Sequence, residues 1–280
     1  MRRKGRRLTG LWFLLPSLLG VLVFVLLPFL DVVRRSFLSA VTEEWVGLKN
    51  YHDVLENGAF RLACWNTFRF TLCCLPVLIG ISLVIGVLLQ RRSQLGDAVK
   101  TALLFPMAVP VASIVLVWRA LFLPHGLVNG ALDLLSIEPQ DWMATSKAFW
   151  VLVGSYLWKN LGYDMVLWMA GLSSISGSIY EAARIDGAGE WTIFRCITLP
   201  CLLPTLFTVT VLSILNSFKV FREAYLVAGD YPHKSMYLLQ HLFNNWFLDL
   251  SFDRMAAGAV LTALVILCFI GLLRRNLEQE

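Results

Sequence analysis

The sequence contains little charge. Only 15% of its 280 residues are Asp, Glu, Lys or Arg, against about a quarter in an average soluble domain. Hydrophobic residues make up 58% of the chain, and the run Leu11–Leu30 carries no charged residue at all. About twenty helical residues cross the roughly 30 Å hydrocarbon layer of a bilayer. The scarcity of charge therefore excludes an ordinary soluble domain and predicts a polytopic membrane protein.

The sequence also lacks the motifs of the main enzyme classes. It has no H-E-x-x-H zinc motif, no G-x-S-x-G nucleophile elbow and no G-x-x-x-x-G-K-[ST] phosphate loop. Its four histidines have no metal-ligand spacing, and its six cysteines form no C-x-x-C pair. We therefore expect no catalytic residue, no metal site and no cofactor in this chain, and we expect that it does not hydrolyse ATP.

Six apolar segments are long enough to span a membrane. They are Leu11–Val33, Thr67–Gln90, Ala102–Leu123, Phe149–Ala170, Cys201–Phe218 and Ala256–Leu273. The first is too long for a signal peptide and is not followed by a clear cleavage site, so we expect it to be retained. The sequence predicts an all-α fold: a basic N-terminus (1–10), one membrane domain of six helices (11–273) and a short tail (274–280).

Basic residues cluster at one side of the predicted spans. Five lie in the N-terminus, and the others are Arg91, Arg92 and Lys100 between the second and third spans and Arg274 and Arg275 in the tail. Lysine and arginine mark the cytoplasmic side of a membrane protein. Both termini and the loop between the fourth and fifth spans are therefore predicted to be cytoplasmic. The basic residues behind the net charge of +5 lie at the ends of spans, where a membrane protein needs them. We therefore expect no nucleic-acid partner.

That cytoplasmic loop contains an unusually polar stretch, YEAARIDGAGEWTIFRCITLP, over Tyr180–Pro200. Ser178 and Glu181 have the spacing of a capping box, which predicts a short helix over Ile179–Asp186. Gly187 follows this helix, where a glycine commonly ends one. A second helical piece is predicted over Glu190–Leu199. The pattern fits either an amphipathic segment on lipid head groups or a docking element for another protein.

The residues of this loop resemble the EAA signature of the membrane subunits of bacterial ABC importers. The matching positions are Glu181, Ala182, Ala183, Asp186, Gly187, Ala188, Phe194, Ile197, Leu199 and Pro200. The resemblance implies a type I importer permease fold in a bacterial cell membrane, with residues 178–200 as the coupling loop that docks on an ATPase. It also implies a second permease in a heterodimer, two ATP-binding subunits that hold ATP and Mg²⁺, and an extracytoplasmic solute-binding protein.

Further stretches are similar to the carbohydrate-uptake branch of this family. They are LLFPMAVP in the third segment, WKNLGYDMVLWMAGLSSI before the polar loop and SFKVFREAYLVAGDYP after it. This likeness implies a sugar or an oligosaccharide as the solute. Glycerol phosphate or another small polar solute is an alternative. An ion-coupled secondary carrier is an alternative from a different class.

Two faces of the predicted spans could meet a solute. Residues at i, i+4 and i+7 share a helix face, and the resemblance to maltose permeases implies substrate contacts at six of them: Trp158, Gly162, Met165, Leu212, Asn216 and Lys219. The other interpretation is structural, with Trp158 and Met165 in packing, Gly162 in a helix contact and Lys219 reaching the membrane surface. Arg119 and Asp164 are further polar residues within spans that line a cavity or meet a partner.

Overall fold

The computed structural model describes residues 14–90 and 93–277 of the chain. The predicted basic N-terminus (1–10), Arg91, Arg92 and the last three residues of the tail lie outside the described residues. Within the described part the backbone is almost entirely helical, and its β structure consists of one isolated bridge between Leu38 and Trp45. The predicted all-α fold is confirmed.

Five helical stretches of the described residues, some made of more than one helix, are long and apolar enough to cross a membrane. They are Leu14–Arg35, Gly58–Gln90, Val111–Leu134, Leu203–Ala228 and Phe252–Arg275. The predicted fourth segment corresponds to the helix Ala148–Ser173, which has 26 residues and is long enough for the hydrocarbon layer. It is less apolar because Lys159, Asn160 and Asp164 lie in its middle. Whether this helix crosses the membrane, and with it the count of six spans, therefore stays a prediction.

The first of two compact units comprises the residues up to Arg61 together with Phe243–Leu267. It contains α1 (Leu14–Arg35) and α2 (Lys49–Glu56). The loop between them is fixed by Asn50, whose amide nitrogen donates to the carbonyl oxygens of Ser36 at 3.0 Å and Leu38 at 2.8 Å. The apolar side chains of α1 remain largely exposed, as a lipid-facing helix requires.

The second unit comprises Leu62–Leu242 together with the residues from Cys268 onward. Its main helices are α3 (Gly58–Gln90, which begins in the first unit), α4 (Ser93–Ala108), α5 (Val111–Phe122), α6 (Leu127–Leu134), α7 (Ala148–Ser173), α8 (Gly177–Ile185), α9 (Glu190–Ile193), α10 (Leu199–Cys201), α11 (Leu203–Ser217) and α12 (Phe221–Ala228). Two further helices, α13 (Leu239–Leu248) and α14 (Phe252–Leu277), each contribute residues to both units.

Aromatic side chains fill the core of the second unit. Phe70 of α3 lies edge-on to Tyr156 of α7, with ring centroids 5.4 Å apart, and edge-on to Phe149 at 6.4 Å. Leu78 and Leu152 are fully buried in the same cluster. Edge-to-face pairs of this kind contribute about 0.5–1.5 kcal/mol beyond the area that they bury. They fix the first part of α7 against α3.

The third predicted segment is not one helix. Instead of a continuous span over Ala102–Leu123, α4 ends at Ala108 and α5 begins at Val111. Pro110 caps the start of α5 with φ −57° and ψ 142°, outside the helical region. Proline has no backbone N–H and disfavours a helical conformation in the residue before it. The prediction of one unbroken helix was wrong because it rested on hydropathy alone and did not include the effect of Pro110 on the backbone.

Gly162 brings α7 into backbone contact with α4. A Cβ atom at this position would overlap the carbonyl group of Leu103. Small residues of this kind allow helices in a membrane to approach closely. Gly154, two turns earlier on the same helix, has no atom within 4 Å of the position that its Cβ would take. The two glycines of α7 therefore differ in what surrounds them.

This difference predicts opposite outcomes for one substitution at the two glycines. Gly162→Ala should lower the midpoint of thermal unfolding in detergent, because overpacking a closed contact costs about 1–3 kcal/mol. Gly154→Ala should leave the midpoint unchanged or raise it, since alanine favours a helix by up to about 1 kcal/mol over glycine. Equal midpoints for the two variants would contradict the close contact between α7 and α4.

Candidate functional site

The polar loop begins with α8, which starts slightly earlier than the sequence indicated. The helix runs over Gly177–Ile185, and Ser176 is its N-cap, with φ −63° and ψ 130°. The predicted capping box of Ser178 and Glu181 is wrong, because Ser178 lies inside the first turn and no side chain caps this end. The hydroxyl oxygens of Ser176 and Ser178 lie 2.8 Å apart and bond each other instead.

Gly187 ends α8 as the sequence predicted. Its φ is +81°, in the left-handed region that glycine adopts without strain. The N–H of Gly187 donates to the carbonyl oxygen of Arg184 at 3.1 Å, and the N–H of Ala188 donates to that of Ala183 at 2.9 Å. This pair of bonds is the Schellman motif, which satisfies the last carbonyl groups of a helix. The chain is therefore sharply turned at Gly187 and well ordered there.

The second helical piece is confirmed as helical but is not regular. It consists of α9, which Gly189 caps, then a π-helical turn over Phe194–Thr198, then α10. The piece continues to Cys201, two residues beyond the predicted end at Leu199. Pro200 lies within α10, and the next long helix begins at Leu203 rather than at Cys201, the predicted start of the fifth segment.

The two most exposed of the large apolar side chains of the loop distinguish its surface. Ile185 is 87% exposed and Trp191 is 72% exposed, one on each side of the Gly187 turn. Between them, the guanidinium of Arg184 pairs with the carboxylate of Glu190 at 3.2 Å. Of the predicted coupling residues, two are half-buried (Ala183 and Ala188) and four are exposed (Glu181, Ala182, Asp186 and Gly187). The loop thus presents an ordered, partly apolar surface.

The six predicted substrate-path residues differ in their surroundings. Trp158 is 45% exposed, and Lys219, which is also exposed, donates to the side-chain oxygen of Asn216 at 2.8 Å. Asn216 and Leu212 are half-buried, whereas Gly162 and Met165 are buried in helix packing. Arg119 is exposed on α5. The structure thus brings Asn216 and Lys219 together, and a contact of any of the six with a solute stays a prediction.

Comparisons with known proteins identify the family. The family model of the binding-protein-dependent transport system inner membrane component matches residues 78–279. This chain belongs to that family. The permease protein MalF of a trehalose/maltose transport system in Thermococcus litoralis is 31% identical over 93% of this chain and 90% of its own length. The arabinooligosaccharide transport permease AraP of Bacillus subtilis is 31% identical over 95% of this chain and 87% of its own length.

A solved structure supports the same fold. A chain of a bacterial ABC transporter involved in the import of the acidic polysaccharide alginate superposes with a TM-score of 0.83 at 20% identity, covering 98% of this chain and 96% of that chain. The chain therefore has the fold of an ABC importer permease. The family match also includes the whole polar loop, from α8 to α10.

Within this permease fold, the polar groups of α7 have partners on the helices that follow in the chain. Asp164 is fully buried and accepts a hydrogen bond of 2.6 Å from the hydroxyl of Ser213 on α11. Lys159 forms an ion pair with Glu223 of α12, whose side chain is almost entirely buried. The sequence analysis missed Glu223 and Ser213. For Glu223, the signal in the sequence was a second charge close to the end of a span, which needs a partner of opposite sign.

The left-handed backbone at Gly187 predicts that a side chain there destabilises the end of α8, and the same substitution at Gly189 is the control. Gly187 and Gly189 are both exposed, and neither has an atom within 4 Å of the position that its Cβ would take. Gly187→Ser should accelerate hydrogen exchange in α8, because a left-handed residue with a side chain costs about 1–2 kcal/mol. Gly189→Ser should leave exchange unchanged, since Gly189 has φ −69° and serine is a good N-cap residue. Equal exchange in both variants would contradict the Schellman end.

Proposed function

We propose that this chain is one of two permease subunits of a bacterial ABC importer for a sugar or an oligosaccharide. The two different permeases form the translocation path, and an extracytoplasmic binding protein delivers the solute to it. Two separate subunits bind ATP and Mg²⁺ and hydrolyse the nucleotide. This arrangement is supported by the family, whose members depend on binding proteins, and by a related importer solved with its periplasmic binding protein and an alginate pentasaccharide.

The carbohydrate assignment is supported by the relatives and by the chemistry of the candidate path. Relatives that match more than nine-tenths of this chain transport trehalose/maltose or arabinooligosaccharides. Trp158 offers an exposed indole ring on α7, whereas Asn216 at the end of α11 and Lys219 just after it offer hydrogen-bond acceptors and donors. Aromatic faces and amide groups are suited to the apolar and hydroxyl surfaces of a sugar ring. These residues are the ones that we propose to contact the solute.

The observation that carries the proposed coupling role is the exposed surface of the polar loop. A flexible connection would not keep Ile185 and Trp191 exposed on two helices with a Schellman turn between them. A surface on which large apolar side chains are held exposed together marks an interaction site for a protein or a membrane, and the resemblance to the EAA signature favours a protein here. We propose that Glu181, Ala182, Ala183, Asp186, Gly187 and Ala188 form the coupling surface that docks on the ATPase subunit.

The docking role predicts that removing one exposed apolar side chain weakens the complex. Ile185→Ser should reduce association with the ATPase subunit about tenfold or more, because burying an isoleucine contributes about 1.5–3 kcal/mol. Leu134→Ser is the matched control, since Leu134 is also 87% exposed but lies on α6. Association is measured by pull-down from membranes, and coupling by ATPase activity with and without loaded binding protein. Wild-type values for Ile185→Ser would contradict the docking surface.

We further propose that both termini and the polar loop face the cytoplasm, as the distribution of basic residues indicates. In a variant without the six native cysteines, Ile185→Cys should resist a membrane-impermeant thiol reagent in sealed cells. Leu134→Cys and Tyr231→Cys should react, because both positions are exposed and lie in the predicted outer connections. Opening the membrane and stripping off the ATPase subunit should make Ile185→Cys reactive and so serves as the control. Labelling of Ile185→Cys in sealed cells would refute this orientation.

A further inference from the structure

A groove lies in the second unit where the polar loop meets the spans. Its volume is about 510 Å³. The lining is almost entirely apolar and includes Ile79 and Leu83 of α3, Trp168 of α7, Leu202, and Leu203 and Leu206 of α11. One charged residue, Arg195, also lines it. A groove with a long apolar wall and a single cationic side chain is suited to a ligand that has an apolar chain and an anionic headgroup.

Arg195 lies at the boundary between the polar residues of the loop and the apolar residues of the next span. It lies near the end of the polar loop, and no charged residue follows it until Lys219. Arg195 belongs to the π-helical turn Phe194–Thr198, a local widening of the helix that often occurs at functional sites. Its side chain is exposed, and within the described residues it has no carboxylate partner, whereas Arg184 is paired with Glu190.

The size and shape of the groove favour a lipid chain over an entire protein helix as its occupant. A helix about 10 Å in diameter would fill about 510 Å³ in little more than one turn. A helix seated there would leave most of its length outside the groove. A flexible hydrocarbon chain can instead follow the apolar wall while its headgroup stays at the membrane surface, where an arginine binds phosphate oxygens in a bidentate manner.

We propose that this groove binds an anionic phospholipid, with one acyl chain along Ile79, Leu83 and Leu206 and the phosphate on Arg195. An anionic headgroup is favoured because a zwitterionic one brings a second cation close to the guanidinium. The lipid would lie beside the segment that joins the polar loop to α11. The inference requires only that the second unit spans a membrane, so it is independent of the solute and of the ATPase proposed above.

The test measures lipid binding on the purified full-length chain. After delipidation in detergent, the chain is titrated with palmitoyl-oleoyl phosphatidylglycerol or phosphatidylcholine, and bound lipid is counted by native mass spectrometry. The wild type should bind phosphatidylglycerol more tightly than phosphatidylcholine. Arg195→Gln should weaken phosphatidylglycerol binding about fivefold, the effect of one arginine at a membrane surface. Arg184→Gln, a matched loss of charge outside the groove lining, should not weaken it.

A second variant tests the apolar half of the site. Leu203→Trp adds volume inside the groove and keeps Arg195, so it should also weaken phosphatidylglycerol binding. Size-exclusion profiles and thermal midpoints establish that each variant is folded. Unchanged binding in Arg195→Gln, or in Leu203→Trp, overturns the proposal, as does equal weakening by Arg184→Gln. Loss of the bound lipid when the second permease is added would show that the groove is a subunit contact, and would equally overturn it.

Discussion

The hydrocarbon layer cannot hydrogen-bond a polar group, and this constraint organises the second unit. Every polar side chain that α7 carries into the layer needs a partner within the protein. Lys159 pairs with Glu223, and the carboxylate of Asp164 accepts from the Ser213 hydroxyl. The Trp168 indole donates to the hydroxyl of Ser82 at 3.1 Å. These bonds fix α7 to α12, α11 and α3 in turn, so the helix that carries charged residues in its middle helps to specify the arrangement of its neighbours.

Much of this fold could be predicted from composition alone. Long apolar runs give the spans because a helix of known rise must cross a layer of known thickness. The interruption at Pro110 could also be predicted from the sequence, because proline has no backbone N–H to donate. A hydropathy profile does not include this effect. The pairing of Lys159 with Glu223 was not predictable, since 64 residues separate them. Effects of a residue on its own stretch of backbone can be predicted from one sequence. Pairs of side chains that only tertiary packing brings together cannot.

The candidate site shows the same division. The turn at Gly187 was predictable because the need for φ > 0 selects glycine from its neighbours alone. The shared face of Trp158, Gly162 and Met165 also follows from helical spacing. Spacing does not reveal what covers such a face, and here the backbone of Leu103 lies against Gly162. Trp158 and the Asn216–Lys219 pair keep part of their surface uncovered, and a contact of these side chains with a solute stays a prediction.

The order of the polar loop does not depend on its surface ion pair. Arg184 and Glu190 are each more than half exposed, and such pairs contribute about 0–1 kcal/mol. Two other features hold the loop. The Schellman bonds fix the Gly187 turn, and buried Ile193 and Thr198 anchor the second piece to the unit. The Tyr180 hydroxyl lies 3.2 Å from that of Thr198 and so joins α8 to the π-helical turn. The loop is thus joined to α11 through the π-helical turn, which also carries Arg195, and through α10.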